Sequence, residues 1–136
     1  MKIFFIGSIR GGRANQPHYV SIVSALEKFG TVSPQHVSDE ALSEFGETRL
    51  TGTEILEREL AALATCDVVV AEVTTPSLGV GYLIGRATIL NKKVIALHNG
   101  GDTSLLSGII KGDSGVEIHT YKTDTDIDNI LQEIFI

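Results

Sequence analysis

The sequence has little of three residue types that organise many small proteins. Among its 136 residues it has one cysteine, three prolines and no tryptophan. The single cysteine, Cys66, excludes a disulfide within the chain and any metal cluster built on several thiolates. Because Cys66 precedes a strongly apolar run, we interpret it as a small apolar filler.

Long hydrophobic runs are also missing. No stretch approaches the roughly 20 apolar residues of a membrane-spanning helix. The first residues, Met1–Gly7, are apolar over a short length and lack a signal-peptide cleavage pattern, so we interpret them as a first strand. These features predict a cytoplasmic protein, with the nucleus as an alternative compartment in a eukaryote.

Positive charge is in deficit. The 11 basic and 17 acidic residues give a net charge of −6, which argues against binding to DNA or RNA polymers. It leaves open the binding of a single nucleotide, because a local anion site fits inside an acidic protein. The histidines have no metal-ligand spacing, and we therefore predict no metal site.

Apolar runs alternate with segments of helical period along the whole chain. The predicted strands are Lys2–Ile6, Thr31–Ser33, Asp67–Val73, Lys93–His98 and Val116–Tyr121. The predicted helices cover Tyr19–Phe29, a segment that begins at Thr53, Gly79–Leu90, Ser104–Lys111 and Thr125–Phe135. This alternation predicts an α/β fold: one domain over residues 1–136 with a doubly wound, five-stranded parallel sheet of flavodoxin-like arrangement.

Two loops follow predicted strands at the edge where such sheets bind ligands. The first, Gly7–Arg13, contains glycines, the hydroxyl of Ser8 and the guanidinium of Arg10, all suited to a phosphate. It lacks the lysine of a P-loop and the spacing of a dinucleotide-binding loop. A plain turn with solvated arginines explains the same residues equally well.

The second loop, Val73–Gly81, leads into a glycine-rich helix. Ser77 is placed to cap that helix, and a helix N-terminus also attracts anions, so Ser77 has two interpretations. Gly79, Gly81 and Gly85 each cost about 1 kcal/mol relative to alanine inside a helix. Such a cost indicates either a ligand near the backbone or close packing of Gly81 and Gly85 against the sheet.

Two long motifs then carry a family resemblance. They are GSIRGGR at Gly7–Arg13 and DVVVAEVTTPSLGVGYLIGRA at Asp67–Ala87. Together they closely resemble the 2'-deoxynucleoside 5'-phosphate N-hydrolases of the nucleoside 2-deoxyribosyltransferase superfamily. Shorter matches extend over nearly the whole chain: FGTV at Phe29–Val32, the His36–Val37 pair, Asn91–Lys93 and LLSGIIKG at Leu105–Gly112.

The resemblance implies a flavodoxin-like homodimer with sites shared between subunits. The implied reaction cleaves the N-glycosidic bond of a deoxynucleoside 5'-monophosphate to free base and deoxyribose 5-phosphate, without metal or organic cofactor. The implied phosphate site comprises the first loop, the start of the glycine-rich helix and a partner serine: Gly7, Ser8, Ile9, Arg10, Gly11, Ser77, Gly79 and Ser107 of the partner subunit. His36 matches a position near the base, although a loop histidine bonded to backbone is an equal alternative.

Three departures from the family pattern fall on the sugar side of the site. The family motif GYELG reads Gly81-Tyr82-Leu83-Ile84-Gly85 here, so Leu83 occupies the position of the nucleophilic glutamate. Phe4 replaces a tyrosine that orients the nucleophile and the sugar. Glu59 replaces an aspartate and keeps the charge on a longer side chain.

These departures predict that cleavage is lost or reduced, because Leu83 has no lone pair with which to attack the anomeric carbon. Three functions stay open: a weakened N-glycosidase, a nucleoside 2-deoxyribosyltransferase, and a pseudoenzyme that binds the nucleotide without cleaving it. Glu59 is the candidate base for direct hydrolysis, and Glu72 is interpreted as a structural carboxylate. Phe4 in place of tyrosine also predicts room for a ribose 2'-hydroxyl.

Overall fold

The computed structural model describes residues 1–8, 16–33 and 50–136. Its strands are β1 (Lys2–Ile6), β2 (Thr31–Ser33), β3 (Val68–Glu72), β4 (Lys93–Asn99) and β5 (Val116–Tyr121). Its helices are α1 (Gln16–Leu26), α2 (Gly52–Thr65), α3 (Leu78–Ile89), α4 (Gly108–Gly112) and α5 (Asp124–Phe135). The strands are all parallel in the order β2-β1-β3-β4-β5, which confirms the predicted five-stranded α/β sheet.

Helices cover both faces of the sheet, as the continuous apolar run of β3 predicts. All five residues of β3 are buried. One apolar cluster lies under α1 and α5, and includes Ile3, Phe5, Val70, Leu97 and Leu131. The second lies on the opposite face under α2 and α3, and includes Phe4, Ile6, Leu63, Val80 and Ile84. Alternate residues of one strand therefore enter different clusters, and the sheet separates them.

Three predicted helix starts are wrong. The first helix runs over Gln16–Leu26 and not Tyr19–Phe29, and residues 27–29 form a turn. The second helix begins at Gly52 and its cap is Thr51, not Thr53, because Thr51 and Glu54 form a reciprocal capping box. The hydrogen bonds from the Thr51 backbone and hydroxyl lower the pKa of the Glu54 carboxyl. The fourth helix is only Gly108–Gly112, capped by Ser107, and its predicted first turn from Ser104 is not helical.

The C-terminal end of α2 is fixed by a lysine from the loop before β4. Lys92 Nζ donates to the carbonyl oxygens of Ala64 and Cys66 at 3.1 and 2.8 Å. A cation is favourable there because the final carbonyls of a helix lack partners within it. Cys66 itself is buried and its Sγ donates to the Leu63 carbonyl, and burial raises the pKa of its thiol. This agrees with its interpretation as a small filler.

Gly30 ends the turn between α1 and β2 in contact with the start of β1. A Cβ atom at Gly30 would overlap the carbonyl oxygen of Met1. That carbonyl accepts the N–H of Thr31 at 2.9 Å, so the two backbones meet at this point. Glycine is required here by a close approach between chain segments.

None of the helices within the described ranges is both long enough and apolar enough to cross a membrane.

Candidate functional site

The two candidate loops are neighbours in the structure. The chain runs from β1 outward to β2 and then returns to place β3 on the other side of β1, so the strand order reverses between β1 and β3. Ile6 of β1 pairs with Ala71 of β3, and both loops therefore leave the sheet at the same carboxyl edge. This is the position at which open α/β sheets bind ligands.

Within the described part of the first loop, Ser8 is the residue that bears a polar side chain. It is fully buried, and its N–H donates to the hydroxyl of Tyr19 on α1 at 3.1 Å. Its own Oγ has no hydrogen-bond partner in the described part of the chain. Gly7 before it is buried as well. The other predicted site residues of this loop, Ile9, Arg10 and Gly11, lie outside the described residues, as does His36.

Ser77 caps α3, as predicted. Its Oγ accepts the N–H of Val80 at 3.3 Å, which leaves further backbone N–H groups of the first turn without helical partners. Gly79 is exposed, and a Cβ there would meet only the Ser77 Oγ, at 3.9 Å. A Cβ at Gly81 or Gly85 would meet nothing within 4 Å, so close packing of these glycines against the sheet is wrong.

The three sugar-side positions lie on one face of the sheet. Phe4 is fully buried in the cluster under α2 and α3, and Leu83 of α3 is half-buried against that same cluster. Glu59 is one helical turn before Leu63, which also belongs to the cluster. The structure therefore brings Phe4, Leu83 and Glu59 to the same side of the sheet as Ser77.

Glu59 is buried and paired. It is 8% exposed, and its Oε1 accepts from the Arg58 guanidinium at 2.7 Å. A charge at this depth is stabilised by such a pair, because its removal from water is otherwise costly. Any base role for Glu59 has to be performed by a carboxylate that Arg58 already binds.

Ser107 lies on the surface at the beginning of α4. Its side chain is exposed and its Oγ lies 3.5 Å from the N–H of Ile110, at the limit of a hydrogen bond. Leu105 and Ile109 beside it are 87% and 85% exposed. Exposed apolar side chains of this size, next to a polar group, are typical of a surface that another molecule covers.

A group of polar residues at the carboxyl edge, on the side of α1 and α5, was missed by the sequence analysis except for Glu72. We call it the strand-end cluster: Tyr19, Glu72, Thr74, Asn99 and Tyr121. Glu72 is fully buried, and its two carboxylate oxygens accept from the Thr74 N–H at 2.5 Å and from the Tyr121 hydroxyl at 3.0 Å. A glutamate that ends a fully apolar strand was the available signal, but its tyrosine partner lies 49 residues away.

The electrostatics of the cluster keep Tyr121 as a donor. Burial, followed by the charge of Glu72, raises the pKa of the Tyr121 phenol far above its usual range. The phenol therefore stays protonated and continues to donate to Glu72. The edge of the His18 ring packs against the Tyr121 ring, with 5.9 Å between centroids.

Histidines elsewhere do not assemble a metal site in the described ranges, where no group of three His, Cys, Asp or Glu side chains is placed to hold an ion. His98 is buried at the end of β4, and its Nδ1 contacts the carbonyl oxygen of Gly100 at 3.1 Å. Since a carbonyl only accepts, that contact places the proton on Nδ1.

Comparison with known proteins identifies relatives of this chain. The profile of the family described as nucleoside 2-deoxyribosyltransferase matches residues 3–126. The 5-hydroxymethyl-dUMP N-hydrolase of Danio rerio is 43% identical over 138 aligned positions, which cover 99% of this chain and 96% of the fish protein. The protein of the same name from Mus musculus is 48% identical over 111 positions, covering 81% of this chain and 64% of the mouse protein.

A solved structure has the same fold. The CMP N-glycosidase of Clostridium botulinum superposes with a TM-score of 0.72 over 98% of this chain and 99% of its own, at 18% sequence identity.

Proposed function

The chain belongs to the nucleoside 2-deoxyribosyltransferase family, and from this premise we propose that it binds a nucleoside 5'-monophosphate at the carboxyl edge of β1 and β3. The proposed reaction class is cleavage of the N-glycosidic bond, as in the relatives named N-hydrolases. The site residues predicted from the sequence and the single domain over residues 1–136 are part of this proposal.

The observation that carries the phosphate site is the hydroxyl of Ser8. A buried hydroxyl without a partner costs roughly 1–3 kcal/mol, and native proteins rarely leave one unused. Among the described residues the Ser8 Oγ has no partner, and it lies where β1 ends beside β3. A phosphate oxygen bound there would supply the missing partner. Ile9, Arg10 and Gly11 continue the same loop and complete this part of the proposed site.

The N-terminus of α3 supports the same ligand. Its unpaired N–H groups and the aligned peptide dipoles favour an anion near Ser77. Gly79 lacks a side chain at the start of this helix, and a Cβ there would meet the Ser77 Oγ only at van der Waals distance. The backbone there is accessible to a ligand, which suits an anion held mainly by N–H groups.

On the sugar side, the chain lacks the group that the family resemblance assigns as nucleophile. Leu83 is apolar and packs against the cluster that contains Phe4. It cannot form a glycosyl ester, so residue 83 cannot support cleavage through a covalent intermediate. We therefore propose that hydrolysis is reduced or lost, and that any remaining hydrolysis uses Glu59 as the base that activates water.

The lack of a nucleophile at residue 83 also bears on the choice between hydrolysis, transfer and binding without cleavage. Transfer of deoxyribose to a second base also proceeds through the covalent intermediate, so Leu83 weakens the transferase alternative as strongly as the hydrolase. Binding without cleavage is the second candidate function. It is favoured by the combination of Leu83 within an apolar cluster and an unsatisfied hydroxyl at Ser8.

We further propose a homodimer formed through α3 and α4. Leu78, Tyr82 and Ile89 are 96%, 50% and 78% exposed, and their spacing places them along one side of α3. Leu105, just before α4, and Ile109 within it are also exposed, and α4 lies on the same face of the sheet. Ser107 lies between them in the chain, and in the proposed dimer it contributes to the site of the partner subunit.

One experiment separates cleavage from binding. Purified protein is incubated with deoxyribonucleoside and ribonucleoside 5'-monophosphates, free base is followed by chromatography, and binding is measured in parallel by calorimetry. We expect saturable binding of monophosphates with slow base release or none. The ribonucleotides test whether Phe4 leaves room for a 2'-hydroxyl. Failure of every monophosphate to bind would refute the proposed function, and rapid base release would show that another residue attacks the sugar.

A further inference from the structure

Glu72 lies at a point where the chain changes sides of the sheet. Val68 and Val70, which precede it on the same side of β3, belong to the cluster under α1 and α5. Val80 and Ile84 of α3 belong to the cluster on the opposite face. The crossing is made by the five residues 73–77, and it delivers Ser77 to the proposed phosphate site.

Three hydrogen bonds hold the first part of this crossing. The Val73 N–H donates to the Leu97 carbonyl at 2.9 Å, which extends the pairing with β4. The Thr74 N–H donates to one oxygen of Glu72, and the Thr74 hydroxyl accepts the Asn99 N–H at 2.8 Å. Thr74 is thus fixed both to its own strand and to the end of β4.

The same carboxylate is connected to the first loop. Its second oxygen binds the Tyr121 hydroxyl. Tyr121 and Tyr19 are buried in the same cluster under α1 and α5, where the ring of His18, next to Tyr19 on α1, packs against the Tyr121 ring. Tyr19 in turn accepts the N–H of Ser8. Ser8 and Thr74, on the two loops of the proposed site, are therefore attached to one buried group of side chains.

Burial of a carboxylate at this position is unfavourable if the residue serves packing alone. Taking it out of water costs several kcal/mol before its partners are counted, and the valines of β3 show that the sheet accepts aliphatic residues here. What a carboxylate provides, and valine does not, is two acceptors in a fixed geometry for donors from different strands.

From these contacts we infer that Glu72 is a positioning residue for recognition of the 5'-phosphate. Through the strand-end cluster it fixes the β1 and β3 loops relative to each other, so that Ser8 and Ser77 face one anion. This inference rests on the proposed function, because it concerns the phosphate site proposed above. It assigns Glu72 no contact with substrate and no part in bond cleavage.

Glu72→Gln and Tyr121→Phe test the inference with little change of volume. The first replaces an acceptor oxygen by a donor, and the second removes the hydroxyl that Glu72 accepts. Glu117→Gln is the matched control, because Glu117 is exposed and contacts His119 at 2.6 Å away from the cluster. Calorimetry measures the affinity of each protein for deoxyribose 5-phosphate and for 2'-deoxyuridine, which lacks the phosphate. Amide hydrogen exchange is followed at Ser8 and Thr74.

We expect both variants to bind deoxyribose 5-phosphate about tenfold more weakly, the effect of one lost hydrogen bond to a charged group. Affinity for 2'-deoxyuridine should stay within about twofold, because the inference concerns phosphate alone. The Ser8 and Thr74 amides should exchange faster, and Glu117→Gln should change neither measurement. An equal loss for both ligands, or an unchanged phosphate affinity in a folded variant, would overturn the inference while the proposed function stands. Absence of phosphate binding by the unmodified protein would overturn the proposed function, and the inference with it.

Discussion

Leu83 differs from the glutamate implied by the family resemblance in more than its reactivity. The surroundings of Leu83 are apolar, since it packs against the cluster that holds Phe4. A carboxylate placed there would lose hydrating water on the side that faces the cluster. It would need a hydrogen-bond donor to compensate. Phe4 offers no such donor, whereas the tyrosine that the resemblance assigns to the first strand does. The two departures therefore act on one local environment.

At the residue scale, we expect Leu83→Glu to raise base release from deoxynucleoside monophosphates by at least about a hundredfold. This is a small part of the roughly million-fold effect that loss of a nucleophile has in subtilisin. Adding Phe4→Tyr should raise the rate further and more than additively, because the new hydroxyl can donate to the new carboxylate. The measurement is initial rate by chromatography for both single variants and the double variant.

Leu60→Glu is the control for this experiment. Leu60 is half-buried against the same cluster but lies on α2, outside the family motif of α3. A carboxylate at that position should leave base release unchanged. If the double variant folds and binds the nucleotide but releases no base, the assignment of the nucleophile position to residue 83 is wrong.

At the scale of the elements, the close approach between Gly30 and Met1 leaves no room for a side chain at position 30. Gly30→Ala inserts a methyl group where the Met1 carbonyl lies, so the ends of β1 and β2 must separate. We expect a loss of about 1–3 kcal/mol in the free energy of unfolding, the usual cost of overpacking. Denaturant titration monitored by circular dichroism measures it.

Gly52→Ala is the matched control for the same titration. Gly52 begins α2, and a Cβ there would meet nothing within 4 Å. Alanine should therefore be neutral or stabilising, since it is the better helix former. Equal destabilisation by both substitutions would contradict the account of Gly30.

The bounds of strands were easier to predict than those of helices. The bounds of β1, β2 and β5 are those of the sequence analysis, because each ends at a polar residue or a glycine. The start of α2 was wrong although its signal was present: Thr51 and Glu54 have the capping-box spacing, and Thr53 does not. The start of α4 was also wrong: the helix was predicted from Ser104, but Ser107 caps it and the preceding residues are not helical.

The candidate site could be predicted only for residues whose position follows from the order of strands and loops along the chain. The positions of Ser8 and Ser77 follow from two loops that succeed buried strands, and the structure makes those strands neighbours. The burial of Ser8 and its contact with Tyr19 depend on how α1 packs, which no local pattern reveals. The pair of Glu72 and Tyr121 joins β3 to β5 across β4 and requires the complete sheet.

For the whole molecule, the apolar surface of α3 and α4 predicts association. We expect light scattering to give about twice the chain mass of 14.6 kDa for the unmodified protein. Ile89→Asp and Ile109→Asp should each shift the protein to the monomer and weaken monophosphate binding, since Ser107 of the partner subunit would be removed from the site. The reason is the cost of burying an unpaired carboxylate in an apolar interface.

Val20→Asp is the control for the dimer. Val20 is 41% exposed on α1, on the other face of the sheet, so an aspartate there should leave the mass unchanged. A monomer at all concentrations of the unmodified protein would refute the dimer. A dimer that both isoleucine variants leave intact would mean that another surface associates.

The rate at which the Cys66 thiol is labelled reports local opening of the structure around it. It is the sole thiol of the chain, it is 4% exposed, and its environment disfavours the reactive thiolate. An alkylating reagent therefore reaches it chiefly when the end of α2 detaches from the sheet. The rate of labelling, followed by mass spectrometry with and without nucleotide, converts ligand binding into a kinetic measurement that needs neither turnover nor an introduced probe.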